Sequence, residues 1–440
     1  MRRIAMISVH SCPLAALGGK ETGGMNVYIR ELSKVLSERG CSIDIFTRSQ
    51  NRFVPAVVDF QEGIRIIHVK AGPEAPYHKN RTWFHLPEFL DTMEQFAGRE
   101  KAEYQLIHSH YWLSGWVGAQ LRQRWGVPLI HMFHTIAYFK NRATYYLAEQ
   151  EPEVRLLAEQ QLMRQSDHIT VASQREKVQM VWTYGAQPHR ISVIPCGVDT
   201  RLFRPLDPLE AKKKLKLPDD RFLLFVGRID PVKGIDTLLK AMGLLKQETG
   251  RNSRVHLLIV GGDTDSPPYA EGSEMGRLRH LTTHLGLKDT VTFLGSQRQD
   301  LLPYYYSAAE ACILPSRYES FGMVALEAMA CGTPVIASHV GGFASLIEQG
   351  SCGFVVPQEN EQALAEKICA LLADSSLRGI LGRKARERAL QYSWHTIGDK
   401  ILSLYDTLME SGHKGAKPFL ATAASVAGET SASARTYGAG

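Results

Sequence analysis

The chain lacks long hydrophobic runs: nowhere in its 440 residues do the roughly 18 consecutive apolar side chains of a membrane-crossing helix occur. That excludes a protein held in the bilayer by a helix of this segment. Paired cysteines are lacking too. The seven present (12, 41, 196, 312, 331, 352 and 369) are odd in number, scattered and never spaced Cys-x-x-Cys. A disulfide framework and a zinc site are therefore excluded, and reduced thiols are the expectation. Charge of one sign is not concentrated either. A net charge of +6 is modest for this length and the basic side chains are spread out, so nucleic acid is not an expected partner whereas a small anion is. The opening MRRIAMISVH is basic, but its apolar run is short, meets His10 and has no small-residue cleavage site. It reads as a first strand, and the chain is expected in the cytoplasm.

What is there is ordinary for a water-soluble globular protein, with 44% hydrophobic and 22% charged residues. At this length two domains of about 200 residues each are the expectation. Short apolar runs alternate with helical patterns throughout, which implies parallel sheets covered by helices on both faces, an α/β fold. Strands are expected at 4–9, 42–47, 64–69, 106–110, 128–133, 168–173 and 191–195, then in a second series at 222–227, 255–262, 290–295, 311–316 and 334–338. Tyr28, Leu32, Val35 and Leu36 stand at helical spacing before Gly40, a suitable left-handed cap. The Pro- and Lys-rich stretch 204–218 separates the series, and its Lys212, Lys213, Lys214 and Lys216 read as a solvated helix rather than a membrane contact. The expected division is a first domain 1–205, a second 206–392, a final helix 393–412 built on Trp394, Ile397, Ile401, Leu404 and Leu408, and an Ala-, Ser-, Gly- and Thr-rich tail 413–440 with little to bury. Two doubly wound domains would turn the carboxyl ends of their strands toward each other, placing a ligand in the cleft and implying hinge closure.

The most telling segment is SRYESFGMVALEAMACGTP, residues 316–334. Glu319 lies in a loop with Ser320, Phe321 and Gly322, where unpaired amides and the positive end of a helix dipole favour an anion, and Glu327 lies inside the helix. Had both been helical, their spacing of eight would set them about 12 Å apart along the axis, so they would hold different parts of one extended ligand. Upstream, GRIDPVKG puts Arg228 and Lys233 at a strand end with glycines beside them, a pair of fixed cations suited to a diphosphate and to the charge of a departing nucleotide. Alone they would read as surface ion pairs; beside the Glu319 segment they read as a site. In GGKETGGMN, Gly18, Gly19, Gly23 and Gly24 form a cleft-lining loop, without the Gly-x-Gly-x-x-Gly spacing of a nicotinamide-type dinucleotide site. His108 and His110 share a face of one strand, with His10 and His134 at strand ends. No acidic or cysteine ligand accompanies them at typical spacing, so no metal site is expected, and His134 is the functional candidate.

With GRIDPVKG, ESFGMVALEAMACGTPVIAS and the VGG of 340–342, the chain closely resembles retaining glycosyltransferases of the family 4 type, whose GT-B fold is two Rossmann-like domains facing across a cleft. The resemblance covers nearly all of residues 1–410. SVHSCPL, TGGMNVY, HSHYWLSGWVG and HTIAYFKN are most similar to the D-inositol-3-phosphate glycosyltransferase branch. KNRTWFHLPEFLD (79–91) is more similar to the neighbouring sucrose-phosphate synthase branch. What the resemblance implies is a UDP-sugar donor as co-substrate and no cofactor required for the chemistry. Arg228 and Lys233 would hold the diphosphate, Glu327 the ribose, Gln297 the uracil edge, and Glu319 the donor sugar together with the amides of Phe321, Gly322, Met323 and Val324. Gly24 would approach the donor and His134 would sit beside its sugar. Asn26, Lys79, Tyr111, Thr135 and Arg155, with Lys140 nearby, would bind a phosphorylated acceptor, although Lys79 and Arg155 taken alone read as solvated surface charge. The catalytic set is His134, Arg228, Lys233 and Glu319. Donor glucose and N-acetylglucosamine, an inositol phosphate, fructose 6-phosphate and an unphosphorylated glycan acceptor all stay open, as does a homodimer. The other classes weighed are a sugar-nucleotide 2-epimerase, a phosphorylase-like enzyme with a pyridoxal phosphate lysine, and a non-catalytic sugar-nucleotide sensor.

Overall fold

The computed structural model describes residues 2–15, 23–144, 150–249, 255–262, 273–347 and 349–412. Gly18, Gly19 and the tail 413–440 lie outside the described residues. Two sheets organise the chain. The first contains β1 (Arg2–Ile7), β2 (Cys41–Arg48), β3 (Val57–Gln61), β4 (Ile64–Val69), β5 (Leu106–His110), β6 (Leu129–Met132), β7 (His168–Val171) and β8 (Ile191–Val193) in the order β3-β4-β2-β1-β5-β6-β7-β8. The second contains β9 (Arg221–Val226), β10 (Val255–Val260), β11 (Val291–Gly295), β12 (Ala309–Leu314), β13 (Val335–Ser338) and β14 (Gly353–Val356) in the order β11-β10-β9-β12-β13-β14. Every pairing is parallel except β3 with β4. In each sheet the winding reverses beside its first strand, and crevices at such reversals are where ligands bind in this architecture.

Alternation along each strand builds the core on both faces. Ile4 and Met6 pack with Tyr28, Ile29 and Leu32 of the Gly24–Glu38 helix, while Ala5 and Ile7 face Leu86, Phe89 and Trp112 on the other side. In the second sheet Leu224 and Val226 take one face, Leu223 and Phe225 the other. One apolar cluster is continuous across both halves, because the C-terminal helix (Trp394–Gly412) returns to the first sheet. Ile397, Ile401 and Tyr405 of that helix are fully buried, the Tyr405 hydroxyl is 2.7 Å from His108 Nδ1, and Arg39 pairs with Asp399 at 2.9 Å. The lysine-rich stretch is a helix, Pro208–Leu215, closed by Lys216 at φ 55°, and Lys212 pairs with Asp219.

Candidate active site

The glycines after the helix of the second half explain how Glu319 is presented. Gly341 has φ +47°, and a Cβ there would lie 1.4 Å from the Glu319 carbonyl oxygen; a Cβ at Gly342 would lie 2.5 Å from Phe321. Only side-chain-free backbone lets the Val340–Gly342 turn press against the Glu319–Phe321 loop. Gly322, at φ +99°, then begins the Met323–Ala330 helix, leaving the amides of Phe321 to Val324 at the positive end of the helix. Glu327 sits in that helix, buried, and accepts a hydrogen bond from the Tyr306 hydroxyl at 2.9 Å. Burial pushes its carboxyl up to about 7, against the hydrogen bond, which lowers it.

The β9 end supplies the cations. Pro231–Lys233 forms one 3-10 turn capped by the Asp230 carboxylate, and Lys233 Nζ donates to Glu319 Oε2 at 2.7 Å. Arg317 braces this corner with two bonds to Asp236 at 3.0 Å and one to Glu359 at 2.7 Å. Arg228 reaches toward the first half: its Cδ is 4.0 Å from where a Cβ on Gly23 would stand. At Gly24 the corresponding position is 3.3 Å from Met323 Sδ, so the starts of the two helices, one from each half, face each other. Gln297, just past β11, has its amide bound to the Leu294 carbonyl at 2.9 Å, at the same edge. A crevice between the halves is lined by Val27, Glu31, Asp199, Gln299, Met323 and Glu327.

His134 follows β6 with the unusual φ of +59°. Its carbonyl accepts from Ser320 Oγ, and Ile136 N donates to the Tyr318 hydroxyl at 3.1 Å, so this turn is sewn to the Glu319 loop. The imidazoles of His134 and His110 are bonded at 3.0 Å, one donating and one accepting. Burial, reinforced by neighbouring His108, lowers His134 to about 3, so it is neutral at ordinary pH.

Lys79, Tyr111, Thr135, Lys140 and Arg155, expected to meet the acceptor, are drawn to one place, with an addition, whereas Asn26 is not. Lys79 Nζ lies 3.1 Å and Lys140 Nζ 2.6 Å from Glu151 Oε1, and Arg155 lies 3.0 Å from Glu151 Oε2. Arg155 also donates to Glu159 at 2.7 Å, to the Tyr111 hydroxyl at 2.8 Å, and to Thr135 O and Oγ1 at 2.8 and 2.9 Å. Taken alone, Arg155 reads as solvated surface charge; the structure corrects this, since Arg155 is fully buried. Tyr111, at φ 72°, begins the Tyr111–Trp125 helix at the end of β5, a forced turn that aims its ring between Lys79 and Arg155. Asn26 is nearly buried and engaged within the first half: Nδ2 donates to Ser11 Oγ and Cys12 O, and Oδ1 accepts from Gly23 N. Its evident work is to fix the loop after β1. Glu151 was not among the sequence candidates. The one signal was its place four residues before Arg155 and eight before Glu159, a charge alternation that puts Glu, Arg and Glu on one side. Tyr306, Tyr318 and Arg317 were likewise unmarked, because nothing in their local strings, YYYSA and PSRYES, says which carboxylate or amide each will meet.

Two Rossmann-type sheets, with Arg228, Lys233, a helix start, Glu319 and Glu327 at the strand ends of the second, are the arrangement expected of a glycosyltransferase. Comparison with known proteins agrees: the description "Glycosyltransferase Family 4" matches residues 22–202 and "Glycosyl transferases group 1" matches 207–388. The chain is 40% identical to a D-inositol 3-phosphate glycosyltransferase of Acidothermus cellulolyticus, over 93% of this chain and 91% of that one. Among solved structures, a sucrose-phosphate synthase of Thermosynechococcus elongatus is 36% identical, covering 93% of this chain and 100% of that one with a TM-score of 0.86. Anabaena HepE in complex with UDP-glucose, 21% identical with a TM-score of 0.72 over 93% of this chain and 100% of that one, shares the fold. The chain belongs to the group 1, family 4 glycosyltransferases of GT-B fold, and it is an enzyme of the transferase class.

Proposed function

We propose that this chain transfers a hexose, glucose or N-acetylglucosamine, from a UDP-sugar to a phosphorylated small-molecule acceptor of the inositol 3-phosphate kind, with retention at the anomeric carbon. The observation that carries the reading is the gathering of Lys79, Lys140 and Arg155 within 3.1 Å of a single carboxylate, on the first-half side of the cleft. Such a cluster suits a phosphoryl group. Residues 1–205 would hold the acceptor and residues 206–392 the donor. Arg228 and Lys233 neutralise the departing diphosphate, the amides at Phe321 to Val324 and the Glu319 carboxylate orient the sugar, and Glu327 takes the ribose hydroxyls. The acceptor hydroxyl attacks from the face the diphosphate leaves; the carbon–oxygen bond to phosphate breaks as the new one forms, and the leaving phosphate oxygen takes the proton. His134, neutral, orients hydroxyls beside the sugar rather than holding charge.

A second reading has fructose 6-phosphate as acceptor. It is supported by the resemblance of 79–91 to the sucrose-phosphate synthase branch and by the synthase's structural likeness. Both readings require a phosphate on the acceptor. Nucleotide release should be followed with UDP-glucose or UDP-N-acetylglucosamine against inositol phosphate, fructose 6-phosphate and their unphosphorylated counterparts. Release confined to a phosphorylated acceptor is the expected result, and equal rates with and without the phosphate would overturn it.

A further inference from the structure

The cluster of Lys79, Lys140 and Arg155 is already occupied, by a carboxylate of the protein itself. The Glu151 side chain is 3% exposed and touches all three cations, whereas the side chains of Lys79 and Lys140 are 21% and 19% exposed. Burial alone would raise the Glu151 carboxyl; Arg155, Lys79 and Lys140 together hold it well below the usual carboxylate range, so it is ionised. Arg155 has five oxygen neighbours around its three nitrogens, which uses the donor capacity of a guanidinium. Of those neighbours Glu159 is fixed, since its other oxygen accepts from Ala137 N at 2.9 Å and the residue is fully buried. The Glu151 backbone is also held, its N–H donating to Asn141 Oδ1 at 2.7 Å and its carbonyl accepting from Asn141 Nδ2 at 3.2 Å. With its backbone held, Glu151 can leave the cations by side-chain torsions alone.

We propose that Glu151 is an internal stand-in for the acceptor's phosphate: its carboxylate keeps the place between Lys79, Lys140 and Arg155 until a phosphoryl group takes it. This rests on the reading of the acceptor as phosphorylated. Among the described residues, three cations against Glu151 and Glu159 leave the pocket one charge positive. A phosphate monoester carries roughly −1.5 to −2 near neutral pH. Added beside a retained Glu151 it would drive the pocket negative; exchanged for Glu151 it brings the sum close to zero. The exchange therefore sets a threshold, because a neutral hydroxyl cannot compensate three cations for the carboxylate it displaces, whereas a dianion can. The role is one of specificity, and His10 stands next to it: its ring is 4.4 Å from that of Tyr111 and its Nδ1 is buried with no hydrogen-bond partner among the described residues.

The test uses the full-length protein with inorganic phosphate as probe. Glu151→Gln keeps the shape and removes the charge, and Glu151→Asp keeps the charge but withdraws it from at least one cation. Calorimetry should find phosphate binding roughly tenfold tighter to Glu151→Gln than to the unsubstituted protein, the effect of one less competing charge at close range. Phosphate should also raise the unfolding temperature of that variant more than that of the parent. Glu151→Asp should fall between, and carries the test by itself if Glu151→Gln does not fold. Phosphate binding that is unchanged or weaker in the variants would overturn the stand-in and leave Glu151 as an organiser of the cations. Because the unsubstituted enzyme's preference for phosphorylated acceptors is measured separately, loss of that preference would sink the acceptor reading, while its presence alongside unimproved phosphate binding would sink this inference alone.

Discussion

Glu327 shows how a single carboxyl is tuned by its surroundings. It is buried in the Met323–Ala330 helix with the Tyr306 hydroxyl as its hydrogen-bond donor, and its carboxyl titrates near 7. On the proposed reading, above that value it would offer two acceptor oxygens to the hydroxyls of a ribose, and below it a proton would occupy one of them. The Michaelis constant for the sugar nucleotide should therefore rise as pH falls from 8 to 6, and Glu327→Gln should raise it at pH 8 while flattening the dependence. A variant that keeps the slope would dissociate Glu327 from donor binding. At this scale much was legible: the Glu319, Glu327, Arg228 and Lys233 pattern follows from where strands end and a helix starts. Glu151 was not, because nothing in a local string says that a carboxylate will be enclosed by Lys79, seventy-two positions earlier.

At the scale of elements, the apolar runs of the parallel strands placed β4 and β5 at the expected residues and the other expected strands within two residues at each end. Two strands carried no such signal. β3 (Val57–Gln61) is an antiparallel edge with alternating exposure and little buried surface, and β14 (Gly353–Val356) is a four-residue edge that follows a turn. Edge strands need less hydrophobicity, so they read as loop. The Val340–Gly342 turn gives a sharper prediction. Gly341→Ala forces a Cβ into the Glu319 carbonyl at a positive φ, so the Glu319 loop must move. The expected outcome is at least about 2 kcal/mol of lost stability, from denaturant unfolding, together with a fall in turnover larger than that seen for Gly350→Ala. Gly350 has a similar φ of +71° but, among the described residues, no atom within 4 Å of the added carbon, which makes it the control for backbone strain alone.

For the molecule as a whole, the buried imidazoles set the response to acid. His10, His108, His131 and His134 are each lowered from 6.5 to about 3, in every case chiefly by burial, and His110 lies well below the ordinary value. The unfolded chain binds protons at these sites between pH 6.5 and about 3 and the folded chain does not, so their contribution is complete above 6.5 and is lost as pH falls. Each such group costs about 1.4 kcal/mol per pH unit in that window. The melting temperature should drop steeply from pH 6.5 to 5, and replacing His131, whose Nε2 has no partner among the described residues, by Gln should soften that drop. An unchanged profile would show that the ring is protonated in the fold.

The two passages of chain between the halves are fastened to each other. Val198 N donates to the Tyr392 carbonyl at 2.8 Å, Val198 bridges Ser393, and a Cβ on Gly197 would strike the Trp394 ring at 2.5 Å. Side-by-side crossings would give the lobes one shared axle, so that any relative travel would be a swivel about it. Sliding apart would have to break both passages at once. Swinging on that axle alters most the separation of groups far from it, and leaves residues beside it, Trp394 and Tyr28 among them, as the still centre of the machine.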